Sequence, residues 1–374
     1  MSQTSGADVI VVGGGIVGAA CLYYLALAGL KAVLVDRGSI AGGTSGFGDG
    51  HIRLSDKCAG PELELAKAGA ALWHDLAADV GDFEHEKKGA MLVSTDERGL
   101  RALVERASHL ATAGVRTHVL GRSQALSIEP NLTPNVNGAL VIADDAYVEP
   151  VTACRALVGA AERNGARTLW KTPVRGIQRD ANGAACGVLT AFGAISAPAV
   201  ILACGVGTPA LGDTLGIPLP ILPCKGHVVV SEPLPHVVER TVYDAQLTSL
   251  VHQARNGTLM LGSSFEFKGL DATIDTQMVA EIARGGARLF PRLALANGIR
   301  AYAGFRPCAP DGLPLVGPLH DVPGVFVNAG HGDAGVGIGP ISAQKLVDLI
   351  IGKPIHEQLA AFDPNRFVTA GAAT

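Results

Sequence analysis

The sequence is poor in charge and has no basic cluster. Charged residues make up 17% of its 374 residues and apolar residues 48%, and the 34 acidic and 30 basic side chains leave a net charge of −4. Without a run or stripe of Lys and Arg, a nucleic-acid-binding function has no support. The apolar fraction is enough for a large core, which excludes a disordered chain. At roughly 100–200 residues per domain, the length predicts two domains.

Cysteine pairs of the kind that hold metals are also absent. The cysteines stand singly in the sequence, at Cys21, Cys58, Cys154, Cys186, Cys204, Cys224 and Cys308. This spacing argues against a structural zinc site and against an iron–sulfur cluster held by this chain alone, so we expect no metal site. Single cysteines in apolar surroundings are typical of the reducing cytoplasm, which is where we expect the protein to reside.

The stretch from Val9 to Leu30 has no charged residue at all. It is long enough to span a bilayer, but the preceding "MSQTSGAD" lacks the basic segment of a signal peptide. Four glycines between Gly13 and Gly18 interrupt the apolar run. A buried strand (Asp8–Val12), a glycine turn and a helix (Ile16–Ala28) explain the pattern better than a membrane span. We therefore expect an α/β domain and no transmembrane segment.

The glycine turn has the spacing of a dinucleotide-binding motif. Gly13 permits the tight turn, Gly15 allows a pyrophosphate to approach the backbone, and Gly18 allows the helix to lie against the sheet. The second strand, Lys31–Val35, ends at Asp36, which suits hydrogen bonds from a ribose diol. The acid argues against the 2′-phosphate of NADP. The motif by itself leaves NAD and FAD open.

A second glycine-rich segment, after Asp36, favours the longer flavin nucleotide, and a third lies near the end of the sequence. "RGSIAGGTSGFGDGHIR" follows Asp36, and "HGDAGVGIGP" follows the predicted strand "GVFVNAG" near the end of the sequence. We expect a helix to begin at Pro340 and to end before Gly352, and "AGFRPCAPDGLPLVG" to be a loop. Such a pattern predicts a nucleotide-binding domain assembled from both ends of the chain, with another domain inserted between them.

The intervening sequence has clear helix and strand patterns. Apolar periodicity and proline or glycine boundaries predict helices over Pro61–Val80, Arg98–Ala113 and from Pro150 to Gly165. Strands are expected at Gly89–Thr95 and as a hairpin of Val174–Arg179 and Val188–Ala191 around "DANG". Further strands are expected at "APAVILACG", "KGHVVVSE" and "NGTLMLGSS", and a helix at "DTQMVAEIARGGARLF".

Over nearly its whole length the chain resembles the FAD-dependent D-amino acid oxidase-like superfamily, which includes glycine oxidase and sarcosine oxidase. The resemblance lies in the motif of Gly13–Gly18 with Asp36, in "DDAYVEP", in "AVILACG", and in "GFRPCAPDGLPLVG" together with "NAGHGDAGVGIGP". Within the superfamily, "PCKGHVVVSEP" and "LVHQARNGTLMLGSS" are most similar to catalytic subunits of opine oxidase, hydrogen cyanide synthase and D-hydroxyproline dehydrogenase.

The resemblance implies two domains and a bound FAD. The fold would be a discontinuous Rossmann-like FAD-binding domain (residues 1–59, 146–219 and 306–374) with an inserted substrate domain built on an antiparallel sheet (residues 60–145 and 220–305). FAD would be non-covalent, because Cys308 does not fall in the attachment motif of sarcosine oxidases. The implied FAD-binding residues are Gly13, Gly15, Ile16, Val17, Gly18, Asp36, Arg37, Thr44, Ser45, Gly46, Gly50, His51, Val174, Ala203, Cys204, Gly205, Gly304, Gly330, His331, Gly332, Asp333, Gly335, Val336 and Gly337.

The implied reaction moves a hydride from the carbon beside an amine to the flavin, and the imine then hydrolyses. Arg306 would clamp a substrate carboxylate with two parallel hydrogen bonds, the alternative being a structural ion pair. His51 would lie near the flavin and His252 would shape the substrate pocket; each is otherwise a structural histidine. Asp49 either bonds the backbone of its loop or faces the ligand. "TSLVHQA" lacks the tyrosine expected beside a glycine-oxidase pocket, and Tyr243 lies upstream.

Three functions follow as hypotheses. The first is a stand-alone oxidase of glycine, D-amino acids or sarcosine that makes hydrogen peroxide. The second, which the narrower resemblance favours, is the catalytic subunit of a dehydrogenase for D-amino acid, hydroxyproline or opine substrates. Its partners would be small iron–sulfur subunits or a second flavin- or nucleotide-binding subunit, and any link to the inner membrane would run through them. The third is a flavin-binding electron-relay subunit without substrate chemistry, against which Arg306 argues.

Overall fold

A computed structural model describes residues 6–354 and 357–367 of the chain. The α-helices within these residues are α1 (Ile16–Leu27), α2 (Pro61–Val80), α3 (Glu97–Thr112), α4 (Arg122–Ile128), α5 (Pro150–Arg163), α6 (Thr208–Leu215), α7 (Thr276–Leu289) and α8 (Gly335–Ile350). The strands are β1 (Val9–Val12), β2 (Ala32–Val35), β3 (His51–Ile52), β4 (Ala90–Ser94), β5 (Thr117–Gly121), β6 (Gly138–Ile142), β7 (Ala146–Tyr147), β8 (Arg167–Leu169), β9 (Val174–Arg179), β10 (Ala185–Thr190), β11 (Gly193–Ser196), β12 (Ala199–Leu202), β13 (Leu222–Ser231), β14 (Thr241–Asp244), β15 (Leu250–Gln253), β16 (Leu259–Gly262), β17 (Gly298–Cys308), β18 (Leu315–Pro318) and β19 (Val325–Ala329).

The first sheet draws its strands from distant parts of the chain. Its order is β18-β19-β12-β1-β2-β8, and every pair is parallel except β18 with β19. β1 and β2 are fully buried four-residue apolar strands, as expected of parallel strands covered on both faces. Helix α1 is buried along almost its whole length and shares one apolar core with residues of α5 and α8. This arrangement is the predicted Rossmann-like sheet fed from both ends of the chain.

The second large sheet has the order β17-β13-β16-β15-β14-β4-β6-β5. All of its pairs are antiparallel except β14 with β4, which run parallel. The sheet is thus antiparallel, as predicted, apart from this one pair, where the two stretches of chain that form the sheet meet. The predicted domain limit between residues 305 and 306 falls inside β17.

The segment around Arg306 is a strand and not the loop expected from its prolines and glycines. β17 pairs with β13 along its length, with Arg306 opposite Cys224 and Pro307 opposite Pro223. Because β17 is the edge strand of its sheet, the missing N–H of Pro307 costs no hydrogen bond to a second neighbour. Arg306 is therefore fixed on a regular element.

Helix α8 begins at Gly335, five residues before the proline at which the sequence predicts its start. Pro340 lies inside the helix and has no N–H to donate to the carbonyl of Val336, four residues earlier. The indole Nε1 of Trp73 on α2 donates to that carbonyl instead, at 2.9 Å. A helix can therefore continue through Pro340, because another helix satisfies the acceptor that the proline leaves free.

Within the described ranges, no helix is both long enough and apolar enough to cross a membrane. The uncharged stretch from Val9 to Leu30 is divided into β1, a glycine turn and α1, as predicted.

Candidate functional site

A cleft opens where β1 turns into α1. The turn of Gly13–Gly15 forms one wall, and Gly330–Gly332, which follow β19, approach from the other side. Gly13 has φ +114°, and a Cβ there would lie 2.3 Å from the carbonyl oxygen of Ala203, so only glycine suits the turn. Gly18 lies beneath this turn, where a Cβ would meet the carbonyl oxygen of Gly13 at 1.8 Å.

The carboxylate of Asp36 holds the edge of the cleft. It accepts hydrogen bonds from the backbone N–H groups of Gly14 and Gly38, both at 2.6 Å. Asp36 itself lines the cleft beside Arg37, at the end of β2. The acid thus lies where the sequence motif predicts a ribose contact, and it also braces the glycine turn.

The loop that follows Asp36 contributes its hydroxyl groups to the same cleft. The Ser45 hydroxyl accepts from the N–H of Ile16, the first residue of α1, at 2.9 Å. Thr44 donates to the carbonyl of Phe305 on β17 at 2.7 Å. Thr44 and Ser45 lie in a short 3-10 helix, Thr44–Phe47, within the segment predicted as a glycine-rich loop. This segment joins the glycine turn to the strand that carries Arg306.

A second helix N-terminus faces the cleft from the far end of the chain. Gly335, the first residue of α8, lines it, as does His331. Burial lowers the pKa of His331 to about 3, so its ring is neutral. The His331 ring contacts the Ser342 hydroxyl, which in turn donates to Asn328. His331 is thus locked by packing, and the partial positive charge of α8 is directed at the cleft.

Most of the predicted cofactor residues lie around this space. Those that line the cleft are Gly13, Gly15, Ile16, Val17, Asp36, Arg37, Thr44, Ser45, Ala203, Cys204, Gly205, Gly330, His331, Gly332 and Gly335. Gly304, Asp333 and Val336 line a smaller cavity beside it. Gly18, Gly46, Gly50, His51 and Gly337 lie behind these walls, where they shape the backbone. Val174 lies on β9 in a separate three-stranded sheet and does not line the cleft.

The smaller cavity, which we call the junction, connects the cleft to a larger chamber. Its lining shares Ile16, Thr44, Ser45, Gly332 and Gly335 with the cleft. It shares Asp49, Arg306 and Asp333 with the chamber, which has a volume of about 730 Å³. The chamber lies between the second sheet and α7. A ligand in the chamber and a ligand in the cleft would therefore approach each other at the junction, beside these three charged side chains.

Arg306 is held in place from two sides at the junction. Its guanidinium donates to the carbonyl of Ser264 at 2.9 Å and lies over the ring of Phe265, 4.3 Å from the centroid. Gly226 on the neighbouring strand makes room for it, because a Cβ there would lie 2.3 Å from the Nη1 atom of Arg306. One face of the guanidinium is packed, and its remaining donors are available to a carboxylate in the chamber.

Sequence reasoning missed a charged network beside Arg306. Arg53 forms an ion pair with Asp333 and another with Asp56 at 3.1 Å, while Lys57 pairs with Glu62 at 2.9 Å. Burial by itself would raise the pKa of Asp333, but Arg53, Lys57 and Arg306 hold it below its ordinary value. Asp333 is therefore an anion whose charge is already neutralised. Arg53 stands out in the sequence only as a neighbour of His51, since nothing links it to residue 333 before folding.

His51 and His252 do not line the chamber or the cleft but lie together behind Asp49. Both are buried, and their rings meet edge to face with centroids 5.1 Å apart. His252 stacks on Tyr147 at 4.1 Å, and its Nδ1 contacts the Thr241 hydroxyl at 3.0 Å. Burial, then the neighbouring His51 and Lys88, lowers the pKa of His252 well below the ordinary value. His252 therefore does not shape the chamber directly, contrary to what the resemblance implies.

The tyrosine missing from β15 is supplied by the neighbouring strand. Tyr243 on β14 lies opposite Leu250 in the antiparallel ladder and lines the chamber. Its hydroxyl is buried without a hydrogen-bond partner in the described part of the chain. A buried, unpaired phenol at a cavity wall is suited to bind a polar group of a ligand. The pairing of β14 with β15 places it there, which the linear sequence could not show.

The cleft suits FAD by its shape and donors. It offers two helix N-termini for negative charge, a carboxylate at the end of β2 for a ribose, and glycine backbone along its length. NADP is disfavoured at Asp36, since a 2′-phosphate would meet an anion there. The cleft extends past the α1 turn to α8 and the junction, so a nucleotide with a reactive ring at its far end fits the observed lining.

Comparisons with known proteins agree with this geometry. The profile of a family described as FAD dependent oxidoreductase (DAO) matches residues 8–349. Glycine oxidase of Geobacillus kaustophilus is 28% identical in sequence, over 96% of this chain and 97% of that protein. A crystal structure of glycine oxidase from the same organism superposes with a TM-score of 0.92 at 27% identity, over 97% of this chain and 99% of the other. Hydrogen cyanide synthase subunit HcnC of Pseudomonas aeruginosa is 28% identical over 97% and 95% of the two chains, and an opine oxidase subunit of Rhizobium meliloti is 27% identical over 96% and 97%.

Proposed function

Since this chain belongs to the family of FAD-dependent oxidoreductases, we propose that it oxidises the C–N bond of an amine or amino acid that carries a carboxylate. The observation that carries this proposal is Arg306, which stands at the junction between the FAD cleft and the chamber with its guanidinium held by Ser264 and Phe265. A carboxylate bound there would place the adjacent carbon and amine next to the junction.

FAD, when bound, accepts the hydride in this chemistry. The chain would hold the pyrophosphate at the first turn of α1, a ribose at Asp36, and the ring side of the cofactor near Gly330–Gly335. Arg306 would orient the substrate carboxylate, and Tyr243 would bind a second polar group from the chamber wall. Closing the junction around the substrate would exclude water until the imine has formed.

The volume of the chamber, about 730 Å³, supports a substrate larger than glycine or sarcosine. Together with the relatives that are named as subunits, this favours a D-amino acid, hydroxyproline or opine-type substrate and a role as the catalytic subunit of a cytoplasmic dehydrogenase. Small iron–sulfur or nucleotide-binding subunits would then carry electrons away. On this proposal the FAD-binding domain consists of residues 1–59, 146–219 and 306–374, and the substrate domain consists of residues 60–145 and 220–305.

The test is reduction of the bound flavin without oxygen. The purified holoprotein is mixed anaerobically with glycine, sarcosine, D-amino acids, D-hydroxyproline and opines, and flavin absorbance is followed. Bleaching by one or more of them is expected; no bleaching by any member of the panel would refute amine oxidation and favour a relay subunit. Peroxide formation in air by the lone chain would favour the oxidase, as the glycine oxidase relatives suggest. Co-purification with Cys-rich subunits would favour the dehydrogenase.

A further inference from the structure

Two carboxylates line the junction, and they differ in their surroundings. Asp333 is ion-paired with Arg53. Asp49 lines both the junction and the chamber, with 28% of its side chain exposed, and the group against it is the Nδ1 atom of His51 at 3.3 Å. A substrate whose carboxylate lies on Arg306 would therefore find a carboxylate at Asp49 that, among the described residues, is not ion-paired with an arginine or lysine.

His51 lies behind Asp49, away from the ligand spaces. Its side chain is 2% exposed, and the rings of Tyr147, Tyr243 and His252 lie around it, with centroids 5.8, 6.0 and 5.1 Å away. Nδ1 faces Asp49 without hydrogen-bond alignment, and Nε2 has no hydrogen-bond partner among the described residues. A buried imidazole with one nitrogen against a cavity-lining carboxylate has the arrangement of a proton-accepting pair.

We propose that Asp49 receives the ammonium group of the substrate and that the Asp49–His51 pair takes its proton before the hydride leaves. This inference rests on the proposed function. The N–H⁺ bond of the ammonium breaks, and the proton is held between Oδ1 of Asp49 and Nδ1 of His51. The amine nitrogen keeps the electron pair, which forms the C=N bond when the hydride departs. The net charge of the site does not change during the proton transfer.

The charges around the pair determine where the proton rests. Burial alone would raise the pKa of Asp49, but His51 in its protonated form, Arg53 and Arg306 hold it well below the ordinary value, so the carboxylate is an anion beside the ammonium. The low pKa of His252 keeps that ring neutral, so it does not compete for the proton. The other groups that face His51 are the phenols of Tyr147 and Tyr243, whose pKa values burial raises. Asp49 thus holds the ammonium, and the proton passes through the carboxylate to Nδ1 of the buried His51 ring behind it.

The decisive experiment measures the rate of flavin reduction at saturating substrate from about pH 6 to about pH 10, a range that brackets the pKa of a free ammonium group. Wild type, Asp49→Asn, His51→Gln and a control, His85→Gln, are compared; His85 is a partly buried histidine that lines neither cavity nor cleft. Wild type and H85Q should reach their plateau near neutral pH. D49N and H51Q should be about 100-fold slower near pH 7 and recover as the solution deprotonates the substrate. Superimposable pH profiles, or a loss that high pH does not restore, would overturn the proposal.

A binding measurement covers the case in which H51Q does not fold or bind FAD. 2-Aminoisobutyrate has no hydrogen on its α-carbon and cannot be oxidised, so its affinity is read from the shift in flavin absorbance. D49N should bind it about tenfold more weakly and should bind isobutyrate, which lacks the amine, as well as wild type does. Equal effects on both ligands would contradict the role of Asp49. If no amine in the panel reduces wild type, the proposed function itself fails; if wild type and D49N respond alike, only this inference fails.

Discussion

Removal of the Arg306 guanidinium should weaken the use of carboxylate substrates selectively. Two charge-assisted hydrogen bonds contribute about 1.5–3 kcal/mol each. Because the chamber is open to solvent, we take the lower end of that range, about 3 kcal/mol for the pair, which corresponds to about 150-fold in kcat/KM. Arg306→Lys keeps the positive charge but cannot make two parallel hydrogen bonds to a carboxylate, so its kcat/KM should fall about 10-fold.

The assay is anaerobic stopped-flow reduction of the flavin, with an amino acid and with its amide, which has no carboxylate. Arg306→Ala should slow reaction of the amino acid by the stated factor and leave the already poor reaction of the amide unchanged. Arg300→Ala is the matched control, since Arg300 lies on the same strand and over the ring of Tyr302 at 5.0 Å but lines neither the chamber nor the junction. Equal losses with both substrates, or no loss with either, would show that Arg306 does not bind the carboxylate.

Three further predictions concern the cofactor and stability. In Gly18→Ala the added Cβ would lie 1.8 Å from the carbonyl oxygen of Gly13, so this variant should be purified largely without FAD, as judged by the ratio of visible to protein absorbance. The control is Gly159→Ala, whose Cβ would meet only the end of the Arg163 side chain at 3.6 Å, and it should retain FAD. Full FAD occupancy in G18A would contradict the packing role of Gly18. Acid precipitation of the protein should release all of the FAD into the supernatant. Burial raises the pKa of Cys308 to about 12, which leaves little thiolate to form a covalent bond with the flavin. Flavin retained in the protein pellet would contradict this prediction. Burial raises the pKa of Asp145 to about 7, above that of the unfolded chain, so stability falls as pH rises between the two values. Asp145→Asn should therefore raise Tm at pH 8 by a few degrees and raise it by less near pH 5, and the reverse order in thermal melts would refute it.

The FAD cleft was largely predictable because its signals are local. A short apolar strand, glycines at fixed spacing, a helix and a terminal acid define β1, α1 and Asp36 within a few dozen residues. The second glycine segment could be associated with the first only through the strand that precedes it, and β19 does lie in the same sheet as β1. Periodicity likewise located α2, α3 and α7 to within a few residues.

The errors arose where a distant partner overrides a local preference. The prolines and glycines around Arg306 predict a loop, but the segment forms strand β17. Because β17 lies at the edge of its sheet, it tolerates Pro307. Pro340 is typical of the start of a helix, but Trp73 satisfies the acceptor that the proline leaves free, so the helix begins earlier. The junction itself combines Asp49, Arg306 and Asp333 from different segments of the chain, and the pairing of Arg53 with Asp333 has no sequence signal.

The bond between Trp73 and the start of α8 has an optical consequence. The chain has two tryptophans, and the other, Trp170, lies against Gly14 in the turn before α1. Trp170 thus stands beside a residue of the cleft wall, and Trp73 beside a residue that lines the adjoining junction. Oxidised flavin absorbs where indoles emit, so its arrival should quench the ultraviolet fluorescence of the whole molecule through energy transfer. Intrinsic emission is therefore a built-in, label-free gauge of how much of a preparation carries its coenzyme.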